Sequence, residues 1–171
     1  MKNYLLSILI GAAILAAMYN LTPDEVLGQQ AIIDKILVLK SDRKLLVFEK
    51  GVLLKTYPIS LGKNPVGAKQ FEGDGKTPEG KYFISDKSDS SRFYKNLAVS
   101  YPDSANRAYS AKLGIAPGGD IKIHGLRNGL GFIGKFHRLL DWTAGCIALT
   151  NAEIDEIYTH TPLGVEIEIR P

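Results

Sequence analysis

Cys146 is the only cysteine in this 171-residue chain. A lone thiol makes no internal disulfide, so the architecture does not require it. It sits in Asp141-Trp142-Thr143-Ala144-Gly145-Cys146-Ile147, and upstream Ile121-Lys122-Ile123-His124-Gly125 is a short β-like run ending on a histidine. A thiol becomes a strong nucleophile when a nearby imidazole takes its proton. Cysteine beside glycine, with a strand-borne histidine elsewhere, is the pattern of a covalent catalyst. The competing reading is a buried, inert free cysteine. The surroundings favour chemistry. Gly145 admits close approach of a substrate, and main-chain N–H groups beside such a nucleophile suit the oxyanion of acyl transfer. The Gly125 carbonyl is free to orient the His124 ring through its second nitrogen, with Asp120 and Asp141 as the carboxylates that could do so instead.

The other candidates carry less. His160 falls near the end of a helical pattern, where a partial positive charge suits the helix dipole, so it reads as structural. His137 lies in a segment that could cover the site. One cysteine and three histidines lack the short spacings of a zinc centre, and no metal or cofactor is implied. Arg127, three residues after His124, could bind a substrate carboxylate or be solvated. Tyr101, at a strand end, could donate to an oxyanion. Trp142 could be a packing anchor or a substrate wall.

Elements able to position these residues are legible. Ile36–Leu39, Leu45–Phe48 and Val52–Leu54, separated by turn residues, form a three-strand meander. Lys81–Ser85, Leu97–Tyr101, Ile121–His124 and Val165–Ile169 add strands, while 62–80 is too rich in Gly, Lys and Pro for regular structure. Ser104–Leu113 reads as a helix stopped by Gly114. Thr150-Asn151-Ala152-Glu153 is a capping box opening another. The class is mainly β with a few short helices. Length and composition (45% hydrophobic, 23% charged) fit one globular domain. A net charge of +3 with no basic run gives no case for nucleic acid.

The first twenty residues differ. Lys2 precedes an apolar run, Leu5 to Met18, broken only by Ser7. It reads as a signal peptide or an N-terminal membrane anchor, the competing reading being a buried helix. Residues 1–20 are thus the export segment, able to contact membrane, 21–33 a linker and 34–171 the catalytic domain.

His124-Gly125 followed by Thr143-Ala144-Gly145-Cys146-Ile147 resembles the signature of the L,D-transpeptidase (YkuD-type) family, cysteine acyltransferases of the bacterial cell wall. Gly73-Asp74-Gly75-Lys76-Thr77-Pro78-Glu79-Gly80-Lys81-Tyr82 and Gly118-Gly119-Asp120-Ile121-Lys122-Ile123-His124-Gly125 resemble further family segments. The resemblance implies an L,D-transpeptidase-like β-sandwich. It also implies Cys146 as nucleophile, His124 as proton acceptor and donor, and Gly125 as the carbonyl orienting His124. Gly145, Thr143, Tyr101 and Arg127 are the expected oxyanion or substrate-binding residues. Many members have His where this chain has Ala144, and Arg shortly after the cysteine where it has Ala148. With Asp141-Trp142, that looks like a sub-branch. The implied substrates are peptidoglycan stem peptides, as acyl donor and acceptor, in the periplasm or cell envelope. Two rivals stay open: an L,D-hydrolase or carboxypeptidase of the same family, and a non-catalytic wall-binding module. The segment 126–140, with three glycines and several apolar residues, is expected to act as a mobile lid, its rival being an ordinary surface loop. Export is testable directly: alkaline phosphatase fused after Pro171 should be active, and activity confined to cytosolic reporters would contradict it.

Overall fold

The computed structural model describes residues 2–22 and 24–171. Met1 and Pro23, in the expected export segment and linker, lie outside the described residues, as do the side chains of Lys2 and Asn3. Alternating apolar residues build the larger half of the core. In Lys35–Leu39 (β1), Lys44–Glu49 (β2) and Glu166–Arg170 (β8) every second side chain is buried. Val52–Pro58 (β3) lies at the sheet margin and leaves Val52 and Leu53 exposed. Register aligns the buried residues: Val47, Ile36, Ile167 and Tyr82 face one another across four strands.

Gly80–Ser91 (β4) gives its first residues to β8 and its later ones to Tyr94–Val99 (β5), with a register shift between Ile84 and Asp86. Such a shift bends the strand. β4 therefore belongs to both halves of a single sheet, ordered β3-β2-β1-β8-β4-β5-β6-β7, where β6 is Lys122–His124 and β7 is Ile147–Ala148. The expected sandwich is one continuous curled sheet. β4 runs six residues past its expected end because Asp86–Ser91, although polar, pairs with β5.

The curl closes through the chain leaving β3. Ser60 and Ala148 exchange N–H···O bonds of 3.0 and 2.8 Å, Thr143 N–H donates to Leu61 O (3.1 Å), and Lys63 N–H donates to Thr143 O (3.0 Å). Helices fill in around the sheet. Ser104–Leu113 (α2) ends at Gly114, whose φ of 67° provides the left-handed stop. Asn151–His160 (α3) begins at the expected Thr150–Glu153 capping box. Residues 131–139 form a 3-10 segment interrupted at Gly134. Lys2–Leu21 (α1) is a helix whose apolar window, Tyr4–Leu21, has mean hydropathy 1.9 and is unburied. Ile33, at the end of the expected linker, is fully buried.

The irregular 62–80 stretch is held by charge. Lys40 Nζ, almost fully buried, donates to Gly67 O (2.7 Å), Thr77 O (3.0 Å) and Glu79 (2.8 Å). Asp74 pairs with buried Lys69 at 2.8 Å and accepts the N–H groups of Gln70, Phe71 and Lys76. Burial alone would raise the Asp74 carboxyl. Lys69 and the three N–H donors outweigh it and hold the group below its ordinary value. A depressed carboxylate contributes stability that is complete above its unfolded value of about 3.9 and is lost as pH falls through the folded one. Asp74→Ala should cost roughly 3 kcal/mol in urea unfolding at pH 7, because it leaves Lys69 buried and unpaired. The gap from wild type should shrink below pH ~4; a gap independent of pH would contradict this role.

Candidate active site

Two parallel strands set the site. Ile123 lies opposite Ile147 and His124 opposite Ala148. Both isoleucines point into the core at 0% exposure. Strand alternation then carries Lys122, His124 and Cys146 to the other face. Cys146 and His124 accordingly line one cleft of about 490 Å³, with Ser91, Arg92, Phe93, Asn96, Asp120, Lys122, Trp142, Thr143 and Ala144.

The His124 ring is fixed. Its Nδ1 donates to the Gly125 carbonyl at 2.7 Å, since a carbonyl can only accept. The neutral ring therefore carries its proton on Nδ1 and keeps Nε2 as the basic nitrogen. Phe93 packs against it at 4.8 Å between centroids and Trp142 approaches edge-on at 5.8 Å. Neither Asp120 nor Asp141 bonds this ring: Asp120 pairs with Lys122 (2.8 Å). Asp141 Oδ1 accepts Leu61 N–H (2.9 Å), while its Oδ2 accepts Arg43 Nε (3.1 Å) and Nη2 (2.8 Å).

Cys146 is half-buried. Its Sγ donates to Asp120 O at 3.6 Å, and the nearby Lys122 main chain favours the thiolate. Thr143 shapes the turn before it: its hydroxyl donates to Cys146 O (2.7 Å) and accepts Gly145 N–H (3.1 Å). That bond takes the Gly145 N–H, one expected oxyanion donor. Gly145 has φ +138°, and a Cβ there would lie 2.6 Å from Lys76 O. Only glycine fits this position without displacing backbone.

The other expected residues are dispersed. Tyr101 is buried, donates to Pro117 O at 3.0 Å, and stacks edge-on to Tyr82; it props the segment leading to Asp120 and does not line the cleft. Arg127 is exposed and borders a separate apolar cavity of about 510 Å³ beyond Trp142. His160 Nδ1 donates to Ala31 O (2.8 Å), a tie between α3 and the 24–34 stretch. His137 is buried beside Ser60 Oγ (3.1 Å), and burial first, then the charge of Arg138, push it down to about 4. The 126–140 segment lies across Trp142 from the cysteine, pinned by Arg138–Glu153 at 2.5 Å.

Sequence reasoning missed Arg92 and Phe93, which enter the cleft from the β4–β5 turn. An Arg-Phe-Tyr run after two serines was the available signal, but no spacing linked it to Cys146. It also missed a second cleft of about 420 Å³ that meets the first at Asp120, Ala144 and Cys146. Lys63, Lys69, Glu72, the glycines at 73, 75, 118 and 119, Asp120, Ile121 and Ala144 line it. No group of three or more His, Cys, Asp or Glu arranged to hold a metal occurs among the described residues.

Residues 33–169 match the model of the L,D-transpeptidase catalytic domain (YkuD). The chain belongs to that family. The Escherichia coli (strain K12) protein named "Putative L,D-transpeptidase YafK" is 31% identical over 130 residues, covering 72% of this chain and 45% of that protein. The helical cell shape determining protein Pgp2 from Campylobacter jejuni superposes with a TM-score of 0.61 at 25% identity, covering 85% of this chain and 50% of that one. Bd1075 of Bdellovibrio bacteriovorus shares the fold at 24% identity, with a TM-score of 0.56 over 85% of this chain and 51% of its own. The chain thus spans about half the length of these relatives.

Burial lowers the His124 pKa, only partly offset by the Gly125 bond, and Lys122 adds to the fall. Burial likewise raises the Cys146 thiol, against the Lys122 N–H that favours the thiolate. At rest the pair is therefore neutral thiol and neutral imidazole. Thioacylation by a carbapenem should rise with pH on a limb below the ordinary imidazole value of about 6.5 and then stay flat through pH 8. Iodoacetamide alkylation should still be climbing above pH 8.5. A thiolate-like alkylation plateau at pH 5 to 7 would contradict the neutral pair.

Proposed function

We propose that this chain is an exported cysteine acyltransferase that works on peptidoglycan stem peptides, with Cys146 as nucleophile and His124 as general base and acid. The observation carrying the proposal is the pair's common cleft, on one face of adjacent parallel strands, with Nδ1 committed to Gly125. In the first half-reaction the Cys146 sulfur attacks the carbonyl between an L-configured centre and a terminal D-residue. The thiol proton passes to His124 Nε2 as the S–C bond forms. Collapse breaks the C–N bond, and the departing amine takes that proton from the imidazolium. The oxyanion is met by the main-chain N–H groups of Ala144 and Cys146, those of Thr143 and Gly145 being already bonded to Leu61 O and the Thr143 hydroxyl, and by no metal or organic cofactor.

An amine of a second stem peptide then attacks the thioester, His124 takes its proton, and the sulfur leaves. The two clefts that meet at Cys146 support separate seats for a donor and an acceptor. Ala144 borders both. It places only a methyl group there, where many members of the family carry histidine, which supports reading the Thr-Ala-Gly-Cys form of the motif as a sub-branch. Helix α1 supports export, as signal or anchor.

Purified chain mixed with stem tetrapeptides should release the terminal D-residue and form cross-linked dimers. Release without dimers would assign hydrolysis instead. Cys146→Ala should abolish both products, and His124→Ala should slow carbapenem acylation by about 10²- to 10⁴-fold. His160→Ala should leave acylation near wild type. Undiminished turnover by the alanine variant of Cys146 would end the catalytic reading.

A further inference from the structure

Helix α1 is tied to the catalytic domain at one place. Asn20 Oδ1 accepts the Lys135 N–H at 2.7 Å, and Asn20 Nδ2 donates to Phe132 O at 3.3 Å. The Tyr19 and Phe136 rings lie 6.1 Å apart. Lys135 Nζ reaches Thr22 O (2.9 Å) and Asp24 (2.7 Å). Gly134, at φ 51°, makes room for this: a Cβ there would lie 2.3 Å from Asn20 Oδ1. The end of α1 and the 3-10 segment are thus one docked unit.

What α1 needs, the domain does not supply. None of the residues in its apolar window is fully buried. Twenty helical residues extend about 30 Å, the thickness of a bilayer's hydrocarbon core. If α1 spans, Tyr19 and Asn20 come to the lipid–water boundary, where tyrosine is favoured. The 3-10 segment, bonded to Asn20, must come to the same level. It turns Phe132 (78% exposed), Leu139 (77%) and Leu140 (74%) outward, while His137 and Arg138 point in against Ser60 and Glu153. Apolar residues outward and charged residues inward suit a surface that is not facing water.

The geometry points to the 131–140 face as a membrane seat. The bilayer that α1 crosses covers Phe132, Leu139 and Leu140, and the catalytic domain rests on lipid through this face instead of swinging free on the 22–34 stretch. The inference rests on reading α1 as a retained, spanning helix. It replaces the free lid expected for 126–140 with a lipid-supported one, so that the apolar cavity behind Trp142 lies on the membrane side of the cysteine cleft.

The test uses the full chain with Trp142→Phe, so that no native indole remains. It carries either Phe132→Trp or, as a control, Val66→Trp in the 62–80 loop, where Val66 is 83% exposed. Each is reconstituted in phosphatidylcholine vesicles with brominated acyl chains, after melting curves by circular dichroism match the parent. The seat predicts loss of most of the residue-132 fluorescence and none at residue 66. An unquenched residue 132 in chain that floats with the vesicles overturns the seat while leaving the anchor, and would also result if a second copy covered this face. Equal quenching at both positions overturns it as well. Chain that does not float overturns the spanning helix and the seat together.

Discussion

Everything at the site depends on how the Cys146 segment is gripped from two sides. On one side β7 pairs with β6, in a register that sends Ile147 and Ile123 into the core. On the other, Thr143 and Ala148 bond the chain that leaves β3. A slip of one residue in either pairing would exchange faces and send the thiol into the apolar core. The same grip closes the curled sheet, so Cys146 cannot be displaced without opening the fold. Closure also brings Gly62 and Gly145 so near the carbonyls of Gly75 and Lys76 that an added side chain at either would collide with backbone.

Burial then decides the electrostatic character of the pair. In water, an imidazole and a thiol have values only about two units apart. Here removal of water pushes them in opposite directions, His124 down and Cys146 up. An ion pair is disfavoured at rest, which in the proposed mechanism leaves proton transfer to the moment of attack. Such a site guards its thiol against indiscriminate electrophiles, since reactivity follows the thiolate fraction. In the proposed acyltransferase, selectivity would then come from substrates able to fill the clefts and draw the proton across.

Local signals explain what could be read in advance. Alternation revealed β1, β2 and β8, and Thr150–Glu153 announced α3, because pleat and capping act over a few residues. The Cys146 and His124 segments were legible from residue type and resemblance. What stayed hidden was decided by distant partners. Asp86–Ser91 is strand only because β5 lies beside it. Arg92 and Phe93 reach the cleft because β4 bends, which no nearby residue reveals. The Gly145 N–H looked free until Thr143 was seen to take it. The 3-10 segment carries no capping signal: Leu130, which precedes it, makes no side-chain cap bond.

Asp141 joins the cysteine turn to Arg43 in the β1–β2 hairpin, with Leu61 held by the same carboxylate. Arg43 stands 98 residues away in sequence and touches nothing that reacts. In the proposed acyltransferase, a screen scored on activity would still register substitutions at Arg43. Its loss would loosen the turn that aims the sulfur, and the phenotype would resemble remote control from a distal hairpin. The mechanical path is a single carboxylate long. In this chain, separation along the polypeptide is a poor guide to which positions tolerate change.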